Sequence, residues 1–587
     1  MASRSRRARR NATTPKAKPN LRLRRQLLVG VMSVAFVVLA GAVFFRQVIE
    51  TDFLQTEGER RYLRDGEIAA RRGMITDRNA EPLAVSTPVE TVWAEPRKLV
   101  LNLDAIGPLA SALKLDAGGL RQKILDNRER GFLYIKRRIT FGEARAVREA
   151  IAEHGIEGVD FETEYRRFYP GAEVFGHVIG FTNIEDRGQE GLELEYDDQL
   201  KAVPGLHRVI RDGRHRIVQE VEQIRPPHPG KDLELSLDRR LQFLAYRELM
   251  KAVKENKAKG GTAVVLDVAT GEVLAMVNQP GYNPNGDRDG GSDRRRNRAL
   301  TDVMEPGSTV KPLVVAAALE KGLIAPTTRI ETGPGFLRVG RNRVKDVHNY
   351  GTLDVTGVIT KSSNVGAVKI AQMMDYAGLW NMYREVGFGQ PTGVGFPGES
   401  RGSLRHYSQW RPFEHATMAF GYSLSVTALQ LAQAYSVIAA DGIKRPVTLL
   451  KRDPSDPIEG ETRVLSVDTA RKVRAMMETV VSDKGTARRA KIPGYRVGGK
   501  TGTAKKAGAR GYGGHRYQAV FAGFVPVGKP RLVMVVMVDE PGGKSYYGGL
   551  VAAPVFQRVM EGALRLFNVP PDDPASSMLL ARKELTP

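Results

Sequence analysis

The middle of the chain reads Glu305-Pro306-Gly307-Ser308-Thr309-Val310-Lys311-Pro312, a turn that runs directly into the apolar segment 313–319. Proline lacks a backbone N–H and is tolerated only in about the first turn of a helix, so Pro312 predicts a helix that begins near Ser308. Ser308 and Lys311 are three residues apart and therefore share one helix face. A serine at a helix N-terminus with an amine one turn along has the parts of an activated nucleophile.

Two later motifs decide between this interpretation and a simple serine cap followed by a solvated lysine. Lys361-Ser362-Ser363-Asn364 follows in a helical region, and Lys500-Thr501-Gly502-Thr503 follows on a predicted strand. Each motif is weak alone, because short serine and lysine patterns arise by chance. A S-x-x-K, S-x-N and K-T-G set in this order carries a mechanism for acyl transfer by an active-site serine. The combination therefore predicts that Ser308 is a nucleophile.

Length and composition set limits on the other possible functions. The 587 residues predict two to four domains. The formal net charge is +23, but no finger, RNA-binding or Walker signature supports nucleic-acid binding. The absence of cysteine excludes disulfides, thiol catalysis and cysteine-rich metal sites, and it suits an oxidising compartment. We expect neither a metal nor a cofactor.

One segment near the N-terminus has the composition of a membrane span. Residues 27–45 contain no charge, which is long enough to cross the hydrocarbon as a helix. No convincing cleavage sequence follows, as a secretory signal peptide would require, and the alternative is a buried core helix. Residues 1–25 carry ten Lys or Arg and no acid, which predicts a cytoplasmic N-terminus. We expect a basic arm at 1–25, a single span at 26–46 and a large domain outside.

The part outside the membrane divides at a linker. Residues 225–230 read Arg-Pro-Pro-His-Pro-Gly, the strongest loop signal in the chain. Residues 47–228, which mix short strands and helical patches, are predicted to form a first domain. Within it, residues 176–181 predict a strand bounded by glycines, and His177 is interpreted as structural. A second domain is expected at 229–567, with a loose tail at 568–587.

Hydrophobic patterns predict the architecture of the second domain. The expected elements are a helix at 238–259, strands at 262–267 and 273–277, a helical insertion, strands at 495–504, 518–525 and 531–538, and a helix at 551–566. This order describes an α+β fold in which an antiparallel sheet is flanked by helices.

These motifs and several further segments resemble the class B penicillin-binding proteins, and among them the division-specific FtsI branch. The sequence Asp346-Val-His-Asn-Tyr-Gly-Thr352 favours that branch over the elongation-specific one. Two small departures stand outside the catalytic set: Ala80 replaces a common glycine, and Gly421-Tyr422-Ser423 replaces Gly-Tyr-Gly. The other matching segments are 72–79, 176–183, 188–193, 296–299, 361–366, 546–549 and 551–556.

The resemblance implies a fold and a role for each site residue. The fold is a membrane anchor, an elongated pedestal of the dimerisation type and a penicillin-binding transpeptidase domain. The implied reaction is D,D-transpeptidation through an acyl-enzyme. The backbone N–H groups of Ser308 and Thr503 are implied to form an oxyanion hole. The catalytic residues are expected to be Ser308, Lys311, Ser362 and Lys500, and the substrate-binding residues Asn364, Thr501, Gly502 and Thr503.

The same resemblance implies the partners and the location. The substrates would be peptidoglycan stem peptides, with a D-Ala-D-Ala donor and an amine acceptor, and β-lactam antibiotics would bind the same site. A septal glycosyltransferase of the FtsW kind and other divisome proteins are the expected partners, at the division septum of the inner membrane. The alternatives are an elongation-specific transpeptidase, a β-lactamase or carboxypeptidase in which water takes the acyl group, and a scaffolding or sensor protein.

Overall fold

The structure, a computed structural model, describes residues 21–53, 63–211, 217–286, 291–506 and 514–573. Most of the predicted basic arm and most of the predicted tail lie outside the described residues. The described chain separates into two compact units, one containing 205–226 with residues up to 68 and the other containing 69–204 with the chain from 227 onward. The domain boundary expected near 228 stays a prediction.

The predicted membrane span is a continuous helix. It runs over Leu21–Phe44 and ends in the single π-helical turn Phe45–Ile49. It is long and apolar enough to cross a membrane, and none of its residues is buried. A helix that is apolar all round is stable only in surroundings that are equally apolar. The rest of the protein does not bury this helix, so in water its apolar side chains would be exposed. This favours a membrane span over the alternative of a core helix.

The rest of the first unit is a small antiparallel sheet. Its strands are Leu63–Ile68, Gly205–Arg211 and Ile217–Arg225, and Gly205–Arg211 is the central one. The pairing of the last two strands shifts register three times, which increases the twist of the ribbon.

The N-terminal part of the second unit is a mixed α/β structure. The long strand Pro82–Ala94 pairs with three neighbours, and a separate hydrophobic core lies between its end and the helix Phe141–His154. That helix begins with a capping box between Thr140 and Glu143 and ends at the left-handed Gly155. The other strands are Ile75–Thr76, Leu133–Ile139, Val159–Phe168, Phe181–Thr182, Gly188–Glu190 and Leu233–Glu234. The other α-helices are Pro96–Leu99, Ile106–Ala112, Ala117–Asp126, Gly176–Ile179, Gly191–Glu195 and Asp197–Leu200.

The predicted strand at 176–181 is wrong, because residues Gly176–Ile179 form one helical turn. The amides of Val178 and Ile179 both donate to the carbonyl of Phe175, which closes that turn. The short apolar run is buried on all sides and therefore has no periodicity that separates helix from strand. His177 lies inside this turn, where burial lowers its pKa to about 4.

The C-terminal part has the predicted antiparallel sheet flanked by helices. The strands lie in the order Val273–Gln279, Gly260–Asp267, Leu532–Asp539, Tyr517–Val525 and Gly498–Lys505, and every neighbouring pair is antiparallel. Four of the five strands are buried at nearly every residue, which explains their continuous apolar sequence. The fold class is confirmed, and Gly498–Lys505 lies at the edge of the sheet.

Helices cover this sheet and fill the insertion between its second and third strands in sequence. The helix Ala428–Ala439 is buried at all twelve residues and packs on the sheet, and Lys311–Glu320 is buried at every residue but its last. A helix that is apolar all round lies in a core or spans a membrane, and these two helices lie in the core. The other α-helices are Arg239–Glu255, Gly291–Arg295, Arg298–Thr301, Val355–Lys361, Asn364–Gln372, Tyr376–Glu385, Pro412–Met418, Val467–Thr479, Gly548–Val551 and Ala553–Leu566. Short strand pairs are Arg329–Glu331 with Thr352–Asp354, Phe336–Val339 with Asn342–Lys345, and Ile443–Lys444 with Thr462–Arg463.

Candidate active site

The predicted nucleophile lies on a tight turn ahead of a buried helix. Gly307–Val310 form a 3-10 turn that continues into Lys311–Glu320, so the helix begins where the position of Pro312 predicts. Gly307 has a φ of 55°, a left-handed conformation that favours glycine. The buried Tyr435 hydroxyl donates to the Thr309 carbonyl at 2.7 Å and fixes the turn from below.

Ser308 is the partly exposed residue of this buried turn. Within the described part of the chain its hydroxyl makes no hydrogen bond, so the oxygen is available to a ligand. Its backbone N–H stands at the start of a helix, where amides have no partner within the helix. Ser308 therefore offers a hydroxyl and a backbone amide donor at one partly exposed residue.

Lys311 is fully buried and is held by the Ser362–Asn364 turn. Its Nζ lies 2.6 Å from the Ser362 carbonyl oxygen, 2.7 Å from Asn364 Oδ1 and 3.3 Å from Ser362 Oγ. Burial lowers the pKa of Lys311 well below its usual value, nearby Lys500 lowers it further, and Asp346 raises it. An amine with a lowered pKa is able to accept a proton near neutral pH.

Ser362 connects two lysines that are distant in sequence. It follows the helix Val355–Lys361 in a left-handed conformation, with φ 60° and ψ 40°, which is uncommon for a residue with a side chain. This conformation places its hydroxyl 2.8 Å from Lys500 Nζ and 3.3 Å from Lys311 Nζ. Because a hydroxyl both donates and accepts, it is able to pass a proton between them.

Lys500 points inward from the edge strand. Its side chain is fully buried, and its Nζ also donates to the Thr501 carbonyl at 3.2 Å. Burial lowers the pKa of Lys500 to about 7. The sequence predicted this residue near the serine, and the structure joins it to Lys311, Ser362 and Asn364 in one network.

The strand that follows Lys500 presents its backbone at the open edge of the sheet. The Lys505 amide points away from the neighbouring strand, because it donates to the Tyr422 hydroxyl at 3.2 Å. Alternate residues of a strand share one direction, so the Thr503 amide also faces outward. A Cβ placed on Gly307 would lie 3.7 Å from the Thr503 nitrogen, which puts this amide beside the serine turn.

The hydroxyls of this strand have different surroundings. Thr501 is nearly buried and its Oγ1 lies 2.8 Å from Thr486 Oγ1, whereas Thr503 is partly exposed and accepts from the Gly548 amide at 3.2 Å. Thr503 is therefore the more accessible of the two.

A close packing contact, which the sequence does not reveal, explains why residue 502 is a glycine. A Cβ at this position would lie 2.9 Å from both the Pro306 carbonyl oxygen and Thr309 Cγ2. The glycine thus lets the edge strand pack directly on the serine turn. The role of Gly502 in substrate binding, which the resemblance implies, stays a prediction.

The sequence assigned no role to Asp346, which the structure places at the Ser362–Asn364 turn. Its carboxylate accepts hydrogen bonds from the Asn364 and Val365 amides and from Ser363 Oγ. In the sequence, Asp346 is the first residue of the segment 346–352. That segment favoured the division-specific branch, but it did not indicate a role for the aspartate.

Comparison with known proteins agrees with this geometry. The penicillin-binding protein transpeptidase domain family matches residues 261–561, just over half of the chain, and the penicillin-binding protein dimerisation domain family matches residues 67–235. The chain belongs to the penicillin-binding protein transpeptidase family. The serine turn, the Ser362–Asn364 turn and the edge strand all lie within the matched transpeptidase domain.

Two similar members of this penicillin-binding protein family cover nearly the whole chain, and a solved structure covers its transpeptidase domain. The peptidoglycan D,D-transpeptidase FtsI of Escherichia coli K12 is 42% identical over 551 residues, which are 93% of this chain and 92% of that protein. The probable peptidoglycan D,D-transpeptidase PbpC of Pseudomonas aeruginosa is 40% identical and covers 95% of this chain and 98% of its own length. The solved transpeptidase domain of Burkholderia pseudomallei penicillin-binding protein 3 is 47% identical, with a TM-score of 0.54, and covers 58% of this chain and 97% of its own.

Proposed function

We propose that this penicillin-binding protein cross-links peptidoglycan stem peptides as a serine-type D,D-transpeptidase, through an acyl-enzyme on Ser308. The observation that carries the proposal is the buried network of Lys311, Ser362 and Lys500 beside a serine hydroxyl that makes no hydrogen bond within the described residues. The names of the similar proteins support the same reaction.

In the first step, Ser308 Oγ attacks the carbonyl carbon between the last two D-alanines of a donor stem peptide. Neutral Lys311 takes the hydroxyl proton, and the C–N bond of the tetrahedral intermediate breaks. The leaving D-alanine amine needs a proton, which passes from Lys311 through Ser362 Oγ. An ester on Ser308 and free D-alanine are the products of this step. Serine is a poor nucleophile without such a base, which is why the neutral state of Lys311 matters.

The backbone around the serine stabilises the charge that develops. The Ser308 amide at the start of the 3-10 turn and the outward amide of Thr503 donate to the carbonyl oxygen as it becomes an oxyanion. Removing one such donor in other enzymes costs about 3–4 kcal/mol of transition-state stabilisation. An extended donor peptide pairs with the open edge of Gly498–Lys505 as a further strand.

The donor carboxylate is recognised at the same strand. Thr503 offers a partly exposed hydroxyl to the carboxylate. Thr501 lies on the same strand, and its hydroxyl is hydrogen-bonded to the hydroxyl of Thr486. Lys500 is fully buried and directed at Ser362, so it acts on the carboxylate through its electrostatic field instead of by direct contact. Asn364, whose Oδ1 accepts from Lys311, is the residue that orients the lysine and the donor peptide.

In the second step, an amine of a neighbouring stem peptide attacks the ester carbonyl. The C–O bond of the ester breaks as the new amide forms the cross-link, and the Ser308 oxygen takes the proton that the amine gives up to Lys311. A β-lactam has a reactive amide at the position of the D-Ala-D-Ala bond, and we expect it to acylate Ser308 in the same way.

A fluorescent penicillin tests the nucleophile directly. The full-length protein in detergent is expected to take a covalent label that survives boiling, and Ser308→Ala is expected to take none. The exposed Ser408→Ala is the control and should label at the wild-type rate. A heat-stable label on Ser308→Ala would disprove the assignment, and fast release of the label into water would indicate a β-lactamase or carboxypeptidase.

We further propose that the protein is a single-pass inner-membrane protein of the division septum. The helix that is long enough to cross a membrane and the basic residues ahead of it support an N-terminus in the cytoplasm and a site in the periplasm. A septal glycosyltransferase of the FtsW kind and other divisome proteins are the proposed partners. Imaging tests this: midcell localisation and filamentation on depletion are expected, whereas lateral localisation and rounding would indicate an elongation enzyme. Complementation that survives Ser308→Ala would indicate a scaffold.

A further inference from the structure

Asp346 is a carboxylate that the mechanism above does not use. Its Oδ1 accepts the Asn364 amide at 2.5 Å and the Val365 amide at 3.0 Å, and its Oδ2 accepts Ser363 Oγ at 2.5 Å. All three donors lie at the start of the helix Asn364–Gln372, where a negative charge is favoured by the helix dipole. The carboxylate therefore joins the hairpin that carries it to the turn that contains Ser362.

The hairpin is itself anchored, so the junction is rigid. The Asp346 amide donates to the Gly335 carbonyl at 2.9 Å. The Lys345 carbonyl accepts from Asn364 Nδ2 at 2.9 Å, which turns Asn364 Oδ1 toward Lys311 Nζ at 2.7 Å. The two neighbouring residues thus fix both the backbone and the side-chain amide of Asn364.

Within the described part of the chain, the hydrogen-bond acceptors of Lys311 Nζ all belong to the turn that Asp346 holds. These acceptors are the Ser362 carbonyl, Ser362 Oγ and Asn364 Oδ1. A displacement of about 1 Å in a catalytic group costs on the order of a hundredfold in rate. A loosened turn would therefore misplace the base and the proton relay together.

We propose that Asp346 is a positioning residue of the reaction, whose carboxylate fixes the Ser362–Asn364 turn so that the oxygens of this turn hold Lys311 in place for the attack of Ser308. This inference rests on the proposed function, because it assumes that Lys311 serves Ser308 as base.

The charge of Asp346 has a second, separable effect on Lys311. Burial and Lys500 on the edge strand lower the pKa of Lys311, and Asp346 opposes them by raising it. Tyr350, which follows in the same loop, also senses this charge: burial and then Asp346 raise its pKa. Removing the charge lowers the pKa of Lys311 further, so the neutral amine persists to lower pH.

Two variants distinguish the effect of the hydrogen bonds that Asp346 makes to the turn from the effect of its negative charge on Lys311. Asp346→Asn keeps an acceptor for the backbone amides without the charge, and Asp346→Ala removes both. In full-length protein in detergent, we measure the second-order rate constant for labelling by a fluorescent penicillin from pH 5 to 10. We expect Asp346→Ala to be slower at least tenfold at its optimum. We expect Asp346→Asn to be slower less than tenfold, with its acidic limb moved to lower pH.

Asp375→Asn is the matched control, because Asp375 accepts the Gly378 amide at the start of another helix and does not contact Lys311. It should lose a little thermal stability and keep the wild-type pH profile. A profile of Asp346→Asn that superimposes on wild type, together with an unchanged rate in Asp346→Ala, would overturn the inference. If wild type itself took no label on Ser308, the proposed function would fail instead, so the two failures are distinguishable.

Discussion

Lys500 Nζ lies 2.8 Å from Ser362 Oγ, and Lys311 Nζ lies 3.3 Å from the same hydroxyl. Both lysines are fully buried, and burial lowers the pKa of each. Two ammonium charges on one hydroxyl would repel each other in a low dielectric, so the site favours a state with fewer than two protons on the pair. The arrangement therefore favours a neutral amine, which the proposed general base requires.

Lys500→Met removes one of these buried amines, and we expect it to lower the activity while it raises the stability. We expect labelling of Ser308 by fluorescent penicillin to slow by at least about a hundredfold, on the scale of other lost preorganised groups. We expect the melting temperature at pH 7 or below to rise, because the variant no longer buries a charge.

The pH dependence of stability checks the same prediction. The pKa of Lys500 is lowered to about 7 in the folded protein and lies near its ordinary value when unfolded. Between about pH 7 and 10 the unfolded chain binds a proton that the folded chain has lost, so the stability of the wild type rises with pH there. Lys500→Met should show a smaller rise, and the exposed Lys251→Met should retain it. Melting of Lys500→Met below wild type at every pH would contradict this account.

Gly502→Ala should move the edge strand away from the serine turn. The new Cβ would lie 2.9 Å from the Pro306 carbonyl oxygen, and a backbone atom cannot yield as a flexible side chain does. Overpacking of this kind costs about 1–3 kcal/mol, and we expect labelling of Ser308 to fall by tenfold or more. Thermal melting and the labelling rate measure the two effects.

Gly142→Ala is the control, because a Cβ at Gly142 meets nothing within 4 Å and the residue lies in a helix. That variant should gain up to about 1 kcal/mol and keep its labelling rate. Equal labelling by Gly502→Ala and wild type would show that the strand tolerates the displacement.

The architecture was predictable because its signals are local. The predicted strands are 518–525 and 531–538, and the observed strands are Tyr517–Val525 and Leu532–Asp539. No predicted end of these strands differs from the observed end by more than one residue. Long apolar runs between turn residues indicate buried strands without knowledge of their partners. The motif order likewise predicted which residues meet, since Lys311, Ser362, Asn364 and Lys500 do form one network.

Contacts between distant segments were not predictable in this way. Nothing in the sequence near Gly502 indicates that Pro306 packs against it, and nothing near Asp346 shows that its carboxylate holds the Asn364 amide. The helical turn at Gly176–Ile179 was mispredicted for the same reason, because only its packing distinguishes it from a strand. Sequence patterns report periodicity and spacing, whereas these features depend on tertiary contact.

Ala80→Gly should stabilise the protein. Ala80 has a φ of 62°, in the left-handed region that costs a residue with a Cβ about 1–2 kcal/mol. Glycine adopts this conformation without that cost, although it gains freedom when unfolded, so we expect a net gain of about 1 kcal/mol. Ser423, the other position where the chain departs from a common family glycine, also has a positive φ of 67°.

Thermal melting of full-length Ala80→Gly provides the measurement, and a rise of a few degrees is the expected result. Ala152→Gly, on an exposed turn of the helix Phe141–His154, is the control and should lose up to about 1 kcal/mol. Destabilisation of similar size by both substitutions would show that Ala80 is not strained.

Glu193→Gln should strongly destabilise the N-terminal part of the second unit. The Glu193 carboxylate lies 2.7 Å from both Arg72 Nε and Arg167 Nε, and all three side chains are at most 1% exposed. Arg72 keeps an ion pair with Asp197 at 2.7 Å, whereas among the described residues Arg167 keeps none. Loss of one partner from a buried ion pair costs about 3–5 kcal/mol, because the remaining charge, here that of Arg167, stays buried without compensation. Chemical unfolding should therefore begin at lower denaturant concentration, with protease cleavage appearing first within residues 69–204.

Glu255→Gln, in the exposed pair with Lys251 at 3.9 Å, is the control and should change stability by less than about 0.5 kcal/mol. Indistinguishable unfolding of these two variants would mean that the buried arginines find other compensation.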